Sequence, residues 1–348
     1  MLLKNMKNKK RMSKFIIRNK INSILKSNAK QPILEIEFLG TGGAFDLEEK
    51  NSSVLIKTGA GSILIDCGST VYSELLKRDV IDDIKYIFIT HGHEDHIGSL
   101  STLIYHKFFV SKEVVNIECE NGMTENLNKY LLDVCGHTVD SYKLNENNGD
   151  IFKDLNMRII KVDTTNHHYK DFPTAGFIFN FRKGGEDVYI VFSGDINIPI
   201  TEVIEEKHPS IYEKMLKVPE HVFILHEATA REYPPHFPHC DFKKLFKVAE
   251  TFPNIYTYHH SQEETKIIIG EYQEKKRKLD VALLTIEKEL NHKLTFVESE
   301  EDKEKLRIQA RDVKERFKEE FEEVQSNAVV FDVNQTGKIL VIQEEMGL

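Results

Sequence analysis

Four cysteines, Cys67, Cys119, Cys135 and Cys240, are all that 348 residues contain, and none form a C-x-x-C pair. No disulfide framework is indicated, and a reducing cytoplasm is the natural compartment. No apolar run approaches the roughly 18 residues needed to span a bilayer. The start of the chain lacks the apolar stretch of a secretory signal. It also lacks acid: residues 1–30 carry ten Lys or Arg and no Asp or Glu, while the whole chain has a net charge of −9. The remainder is therefore strongly acidic, which argues against a protein made chiefly to bind nucleic acid. There is no internal repeat and no low-complexity tract. The basic leader, residues 1–30, reads as a flexible segment; an amphipathic transit segment and a weak contact for anionic surfaces are the other readings, and Met12 is an alternative start. With 40% hydrophobic and 30% charged residues, the chain is long enough and apolar enough for a sizeable core, as one large domain or two small ones.

The densest chemistry lies in Thr90-His-Gly-His-Glu-Asp-His-Ile-Gly98. It follows Lys85-Tyr-Ile-Phe-Ile-Thr90, a short apolar run that reads as a buried strand. His91 and His93, two residues apart, project to one side of a strand end. Asp95 and His96 come where a helix would begin and can face the same spot. Imidazole and carboxylate are ligands for zinc, manganese or iron. Four such groups within six residues suit two adjacent ions better than one.

The pattern His-x-His-x-Asp-His resembles the signature of metallo-β-lactamase-fold hydrolases. The resemblance implies an α/β chain built as an αββα sandwich, two mixed β-sheets flanked by helices. Ligands beyond the motif follow by the same resemblance. One of His167 and His168 is the third histidine of the first metal; His168 is taken here, although spacing cannot separate neighbours. Asp195, after Ser193-Gly194 at a strand end, stands where the family places its bridging aspartate. Asp66, at the end of Ile63–Gly68, matches a carboxylate that supports the metal histidines; capping the helix expected near Thr70 is an equal reading. Gly40-Thr-Gly-Gly-Ala-Phe45 corresponds to a Gly-rich loop bordering the site, or to an ordinary turn.

The stretch His226-Glu-Ala-Thr229, followed by His239-Cys-Asp241 and then His259-His-Ser261, resembles ribonuclease Z and its phosphodiesterase relatives. By that match His91, His93 and His168 hold one metal; Asp95, His96 and His259 hold the other; Asp195 bridges them. His239 is the candidate general acid, Glu227 orients it, Asp95 also serves catalysis, and His226 joins Asp66 in supporting the ligands from behind. His236 and His260 read as bystanders. The implied cofactor is a pair of divalent ions, Zn²⁺ or Mn²⁺. Ions roughly 3.5 Å apart acidify bound water towards neutrality, which supplies hydroxide for attack on phosphorus. A positioned histidine can then protonate the leaving alkoxide.

Bacterial-type ribonuclease Z carries a tRNA-gripping arm between the third histidine and the bridging aspartate. Here only about 27 positions separate His168 from Asp195, room for a hairpin and nothing more. An armless site suits a small phosphodiester such as a cyclic nucleotide, as in cyclic-nucleotide-degrading relatives that include phage-encoded ones. A ribonuclease Z-like tRNA endonuclease is the alternative, with the basic leader or added helices in place of the arm for an RNA substrate. A lactone or thioester hydrolase is a further alternative, and a non-catalytic module is the least favoured.

Strand-like alternation covers Ile33–Leu39, Asn51–Lys57, Ser62–Asp66, Val114–Cys119, Thr138–Leu144, Met157–Asp163, Ala175–Phe181, Asp187–Phe192, Val222–Leu225 and Asn254–Tyr258. Helical spacing covers His96–His106, Met123–Val134 and Phe242–Phe252. Beyond Ser261 two charged segments, Glu263–Leu290 and Glu298–Val324, carry apolar residues at helical spacing. They read as a helical hairpin: a lid, a contact between two copies of the chain, or a solvated support. Ala328–Val333 and Ile339–Gln343 read as returning strands. The expected organisation is a leader (1–30), a hydrolase domain (31–261), a C-terminal helical-hairpin insertion (262–326) and closing strands (327–348).

Overall fold

In the computed structural model the described residues are 34–145, 151–169, 171–183, 185–230, 237–261, 264, 285, 288, 290, 292–294, 299–313 and 339–342. The basic leader, His236, Ala328–Val333 and most of the expected helical hairpin lie outside them; of the hairpin's second arm, residues 300–313 are helical.

The strands are β1 (Leu34–Gly40), β2 (Ser53–Thr58), β3 (Gly61–Ile65), β4 (Ile84–Ile89), β5 (Val115–Cys119), β6 (Tyr142–Leu144), β7 (Ile151–Phe152), β8 (Met157–Asp163), β9 (Ala175–Lys183), β10 (Glu186–Phe192), β11 (Val222–Glu227), β12 (Asn254–Tyr258) and β13 (Ile339–Ile342). The helices are α1 (Val71–Arg78), α2 (Glu94–Ile97), α3 (Leu100–Tyr105), α4 (Asn121–Lys129), α5 (Ile200–Lys207), α6 (Pro209–Met215) and α7 (Leu245–Ala249). One mixed sheet runs β13-β1-β2-β3-β4-β5-β6 and the other β12-β11-β10-β9-β8-β7. β13 pairs antiparallel with β1, Leu34 opposite Ile342.

Alternation explains the layering. In β3, Ile63 and Ile65 turn inward against the second sheet, while Leu64 turns outward under the helices; in β4, Phe88 faces in and Ile87 and Ile89 face out. Both faces are covered, so these strands read as continuous apolar runs. Between the sheets Phe88 stands edge-on to Phe177 at 5.1 Å and to Phe179 at 5.3 Å, joining the two layers. Each such fully buried side chain contributes about 1.5–3 kcal/mol. A second apolar layer packs α1, α3 and α4 on the first sheet, and a third packs α5 and α6 on the other. This is an αββα sandwich of the metallo-β-lactamase fold. No helix among the described residues is long and apolar enough to cross a membrane.

Several elements differ from the sequence expectation. The helix expected over His96–His106 is split: α2 ends at Ile97, Gly98 and Ser99 intervene, and α3 starts at Leu100. Ser99 cannot continue the first helix because its backbone N–H bonds to the Cys67 carbonyl at 3.0 Å and its hydroxyl to that of Gly68 at 2.6 Å. The helix expected over Phe242–Phe252 is a single 3₁₀ turn followed by the short α7. Two helices, α5 and α6, were not anticipated, nor was the short β7.

One topological fact places the site. β1, β3 and β4 point the same way in the first sheet, as do β8, β10, β11 and β12 in the second. Their C-terminal ends deliver Glu227 as the last residue of β11, and Thr41, Asp66, Thr90, Asp195 and His259 one to three residues beyond a strand end. The two sheets therefore bring distant residues to one edge of the sandwich.

Candidate metal centre

His91, His93 and His168 form one group of convergent ligand atoms; His91, His96 and Asp195 a second; Asp95, His96 and His259 a third; Asp195, His239 and His259 a fourth. Within each group the ligand atoms lie within 4.8 Å of one another. His91 Nε2 faces His93 Nδ1 at 2.9 Å. Asp95 Oδ2 lies 3.1 Å from His259 Nε2 and 3.4 Å from His96 Nε2. Asp195 sits between the sets: its Oδ2 is 3.8 Å from His91 Nε2 and 3.6 Å from His259 Nε2, and its Oδ1 is 3.5 Å from His96 Nε2. The left-handed backbone of Gly194, at φ 63°, makes the turn that presents Asp195. His168 is in the cluster. Its neighbour His167 is not, and hydrogen-bonds Asn197 through its backbone carbonyl at 2.8 Å.

The donor set has the chemistry of a cation site. His96 Nε2, both ring nitrogens of His168 and Asp195 Oδ1 are buried without a hydrogen-bond partner. Such atoms are costly to bury unless something else satisfies them. Burial lowers the pKa of His91 well below the ordinary value, and the neighbouring His96 ring adds to it. Burial likewise brings His168 down to about 4. These rings are neutral, with lone pairs to offer. Burial would raise the Asp195 carboxyl, but the His259 and His96 rings outweigh it and hold it well below the usual range. The residues present thus fit divalent cations of the zinc or manganese kind.

Asp66 stands behind the ligands. Its Oδ1 accepts the Thr90 backbone N–H at 2.8 Å; its Oδ2 accepts the Thr90 hydroxyl and His96 Nδ1–H, both at 2.8 Å. With its proton committed to Asp66, the Thr90 hydroxyl accepts from His91 Nδ1–H at 3.0 Å. One carboxylate and one hydroxyl therefore fix the tautomers of His91 and His96, leaving each Nε2 turned into the cluster. Asp66 does not cap the following helix: Thr70 is the residue before α1. Thr90 was not singled out from the sequence. Gly68 allows the approach, since a Cβ there would lie 1.8 Å from the Asp95 carbonyl oxygen.

Glu227, at the end of β11, is fully buried. Its Oε2 accepts from His239 Nδ1 at 3.2 Å, and its Oε1 accepts backbone N–H groups of Ile196 at 3.3 Å and Cys240 at 2.6 Å. Burial would lower His239, but the Glu227 carboxylate and then Asp195 raise it to about 9. His239 Nδ1 lies 3.9 Å from Asp195 Oδ2, at the edge of the cluster. His226 requires a correction. Neighbouring residues of a strand point to opposite faces, and His226 faces away from the cluster. Its Nδ1–H donates to the Glu227 carbonyl at 2.6 Å, and its Nε2 accepts the Ile200 N–H at the start of α5 at 2.9 Å. These two bonds anchor α5 to the end of β11, and neither reaches the cluster. His260 bonds Thr257 Oγ1 at 3.3 Å, also away from the cluster.

The wall beside His93 and His168 is aromatic. Phe172 stacks on His93 at 4.8 Å, and Tyr169 lies 4.9 Å from His168.

Sequence comparison matches residues 34–280 to the family described as Anti-Pycsar protein Apyc1. The chain belongs to the Anti-Pycsar Apyc1 family. An Apyc1 protein of Bacillus phage BSP38 is 36% identical over 96 residues, 27% of this chain and 38% of the phage protein. A probable RNase of Methanocaldococcus jannaschii is 26% identical over 184 residues, 49% of this chain and 40% of that protein. The chain thus aligns with well under two thirds of the length of these relatives. Among solved structures, the metallo-β-lactamase fold protein YhfI of Bacillus subtilis superposes with a TM-score of 0.51 at 17% identity, over 67% of this chain and 88% of YhfI. A long-form RNase Z from yeast gives 0.52 at 16% identity, over 68% of this chain and 39% of the yeast chain. Both likenesses concern the fold that this Apyc1-family chain adopts.

Proposed function

We propose that this chain is a dinuclear-metal phosphodiesterase that hydrolyses a small phosphodiester such as a cyclic nucleotide. The observation that carries the reading is the hydrogen-bonded His239–Glu227 pair standing beside Asp195, at the edge of two ligand sets that share that aspartate. His91, His93 and His168 would hold one cation; Asp95, His96 and His259 the other; Asp195 would serve both. When bound, the cations supply acidified water and neutralise phosphoryl oxygens.

The chain's own groups do the rest. Asp66 and Thr90 hold two imidazoles in the donating tautomer. Glu227 fixes His239 through Nδ1, which leaves Nε2 for a leaving oxygen. A histidine raised to about 9 is protonated at neutral pH and can give that proton up to an alkoxide. Cations alongside would lower this value towards the working range.

Between His168 and Asp195 the chain makes the β9–β10 hairpin, Ala175 to Phe192. That supports a small diester over a tRNA. Imidazoles and carboxylates suit zinc or manganese, and unpaired cysteines suit the cytoplasm. We read the hydrolase domain as 31–261 with closing strands at 327–348, and residues 262–326 as a lid or a contact in a homodimer.

The test is product analysis after incubation with Mn²⁺ or Zn²⁺ against cyclic mononucleotides, cyclic dinucleotides, a 3′-extended tRNA, a lactone and a thioester. Linear nucleotide with intact tRNA is the expected result. Trimmed tRNA alone, or turnover of the lactone or thioester alone, would replace this reading with the corresponding one.

A further inference from the structure

Ser261-Gln-Glu-Glu264 has the spacing of a helix capping box. The Glu264 N–H donates to Ser261 Oγ at 3.3 Å, and Glu264 Oε2 accepts the Ser261 N–H at 2.9 Å and hydroxyl at 3.1 Å. A capping box needs only that oxygen. The other, Oε1, reaches 35 residues back along the chain: it accepts the Thr229 hydroxyl at 2.6 Å and the Ala230 N–H at 3.3 Å. Thr229 and Ala230 are where the chain leaves β11 on its way to His239. Ser261 is two residues beyond His259. The carboxylate, 7% exposed, thus joins the two stretches that carry the last ligand and the proton donor.

His259 has reason to need such a tie. Its backbone is left-handed, at φ 67°, a conformation that a residue with a Cβ keeps only when its surroundings enforce it. On one side the Thr41 carbonyl accepts the His259 N–H at 2.8 Å. On the other side, the tie is Glu264.

We infer that Glu264 is a positioning residue that holds His259 and His239 in one frame, beyond its part in a capping box. The inference rests on the functional reading of those two histidines given above. Three variants separate the roles. Glu264→Gln keeps the capping box, since glutamine serves there, but has one acceptor oxygen where four donors converge. Thr229→Val removes the shorter of the two contacts to the β11 exit and leaves the box whole. Glu264→Ala removes both.

The readouts are thermal unfolding, Mn²⁺ binding by titration calorimetry, and kcat and KM on two diesters, bis(p-nitrophenyl) phosphate and a cyclic nucleotide. The p-nitrophenolate group leaves without a proton, whereas a ribose alkoxide needs one. Glu264→Gln is expected to unfold within a few degrees of the unaltered protein. Its weaker Mn²⁺ site should lose about tenfold in affinity, the usual scale for removing support behind a ligand. Its kcat ratio, cyclic nucleotide over p-nitrophenyl ester, should fall by about tenfold, with Thr229→Val moving the same way. Wild-type Mn²⁺ binding and an unchanged ratio in Glu264→Gln would overturn the inference, as would a lowered unfolding temperature with neither change. If the unaltered chain hydrolyses no diester, the phosphodiesterase reading falls and Mn²⁺ binding alone decides the role of Glu264.

Discussion

His239 and His259 are neighbours, ring centres 4.9 Å apart, yet their partners differ. His259 Nε2 faces two carboxylates, Asp95 and Asp195, as a ligand would. His239 has a carboxylate of its own, Glu227, that holds it from behind. His239→Ala should therefore lower turnover of a cyclic nucleotide by about 10²–10⁴-fold, with metal content by elemental analysis unchanged. Metal loss in that variant would move His239 into the ligand set. Asp66→Ala should weaken metal binding by about 10–100-fold, measured by competition with a chromogenic chelator. Unaltered affinity would mean that Thr90 alone sets the tautomers. The convergence of His91, His93, Asp95 and His96 was legible because six residues between the end of β4 and the first turn of α2 carry them, and a local spacing maps onto a local geometry. His226 misled for the same reason: beside Glu227 in sequence, it belongs to the other face of β11. Thr90 and Glu264 carried no such mark, since a hydroxyl and a surface-type acid acquire their roles only from partners brought in by the fold.

At the scale of elements, α1 is tied to the first sheet by charge. Glu74 takes Lys50, Lys77 at 2.9 Å and Arg78, while Arg78 Nε also reaches Glu37 of β1 at 2.9 Å. Burial would raise the Glu74 carboxyl, but these three cations outweigh it and bring it down to about 2. A carboxyl depressed in the folded state stabilises the fold above its unfolded value, near 4.5. That stability is lost as pH falls from there towards 2. Urea midpoints should drop over that window in the unaltered protein, and less steeply in Glu74→Gln. Equal slopes would place the acid sensitivity elsewhere. Strands such as β8 and β12 were legible to the residue, because strict alternation or a short apolar run bounded by polar turns admits one reading. α5 and α6 were not. Their apolar positions, Ile200, Val203, Ile204, Ile211 and Met215, have helical spacing, but His208-Pro209 breaks the pattern into two runs too short to stand out. α2 and α3 merged into one helix in the sequence reading because Ser99 takes its partners from Cys67 and Gly68, more than thirty residues away.

For the whole molecule, the candidate ligands divide by sheet. His91, His93, Asp95 and His96 follow β4 of the first sheet; His168, Asp195 and His259 follow β8, β10 and β12 of the second. Without cations, this edge of the sandwich holds buried, partnerless nitrogens and a carboxylate against one another. Bound cations would join the two sheets at this edge, which no disulfide does, since the four cysteines are free. Metal binding should therefore act on global stability and not only on the loops. The expected gain is about 2.7 kcal/mol when free metal is a hundredfold above its dissociation constant, rising with the logarithm of concentration. Thermal unfolding followed by far-ultraviolet circular dichroism should show a single transition that moves down on EDTA treatment and returns with Zn²⁺ or Mn²⁺. An unfolding temperature indifferent to chelation, in protein shown to be metal-loaded beforehand, would mean that the sheets are held by the Phe88–Phe177–Phe179 layer alone and that the cations only decorate its edge.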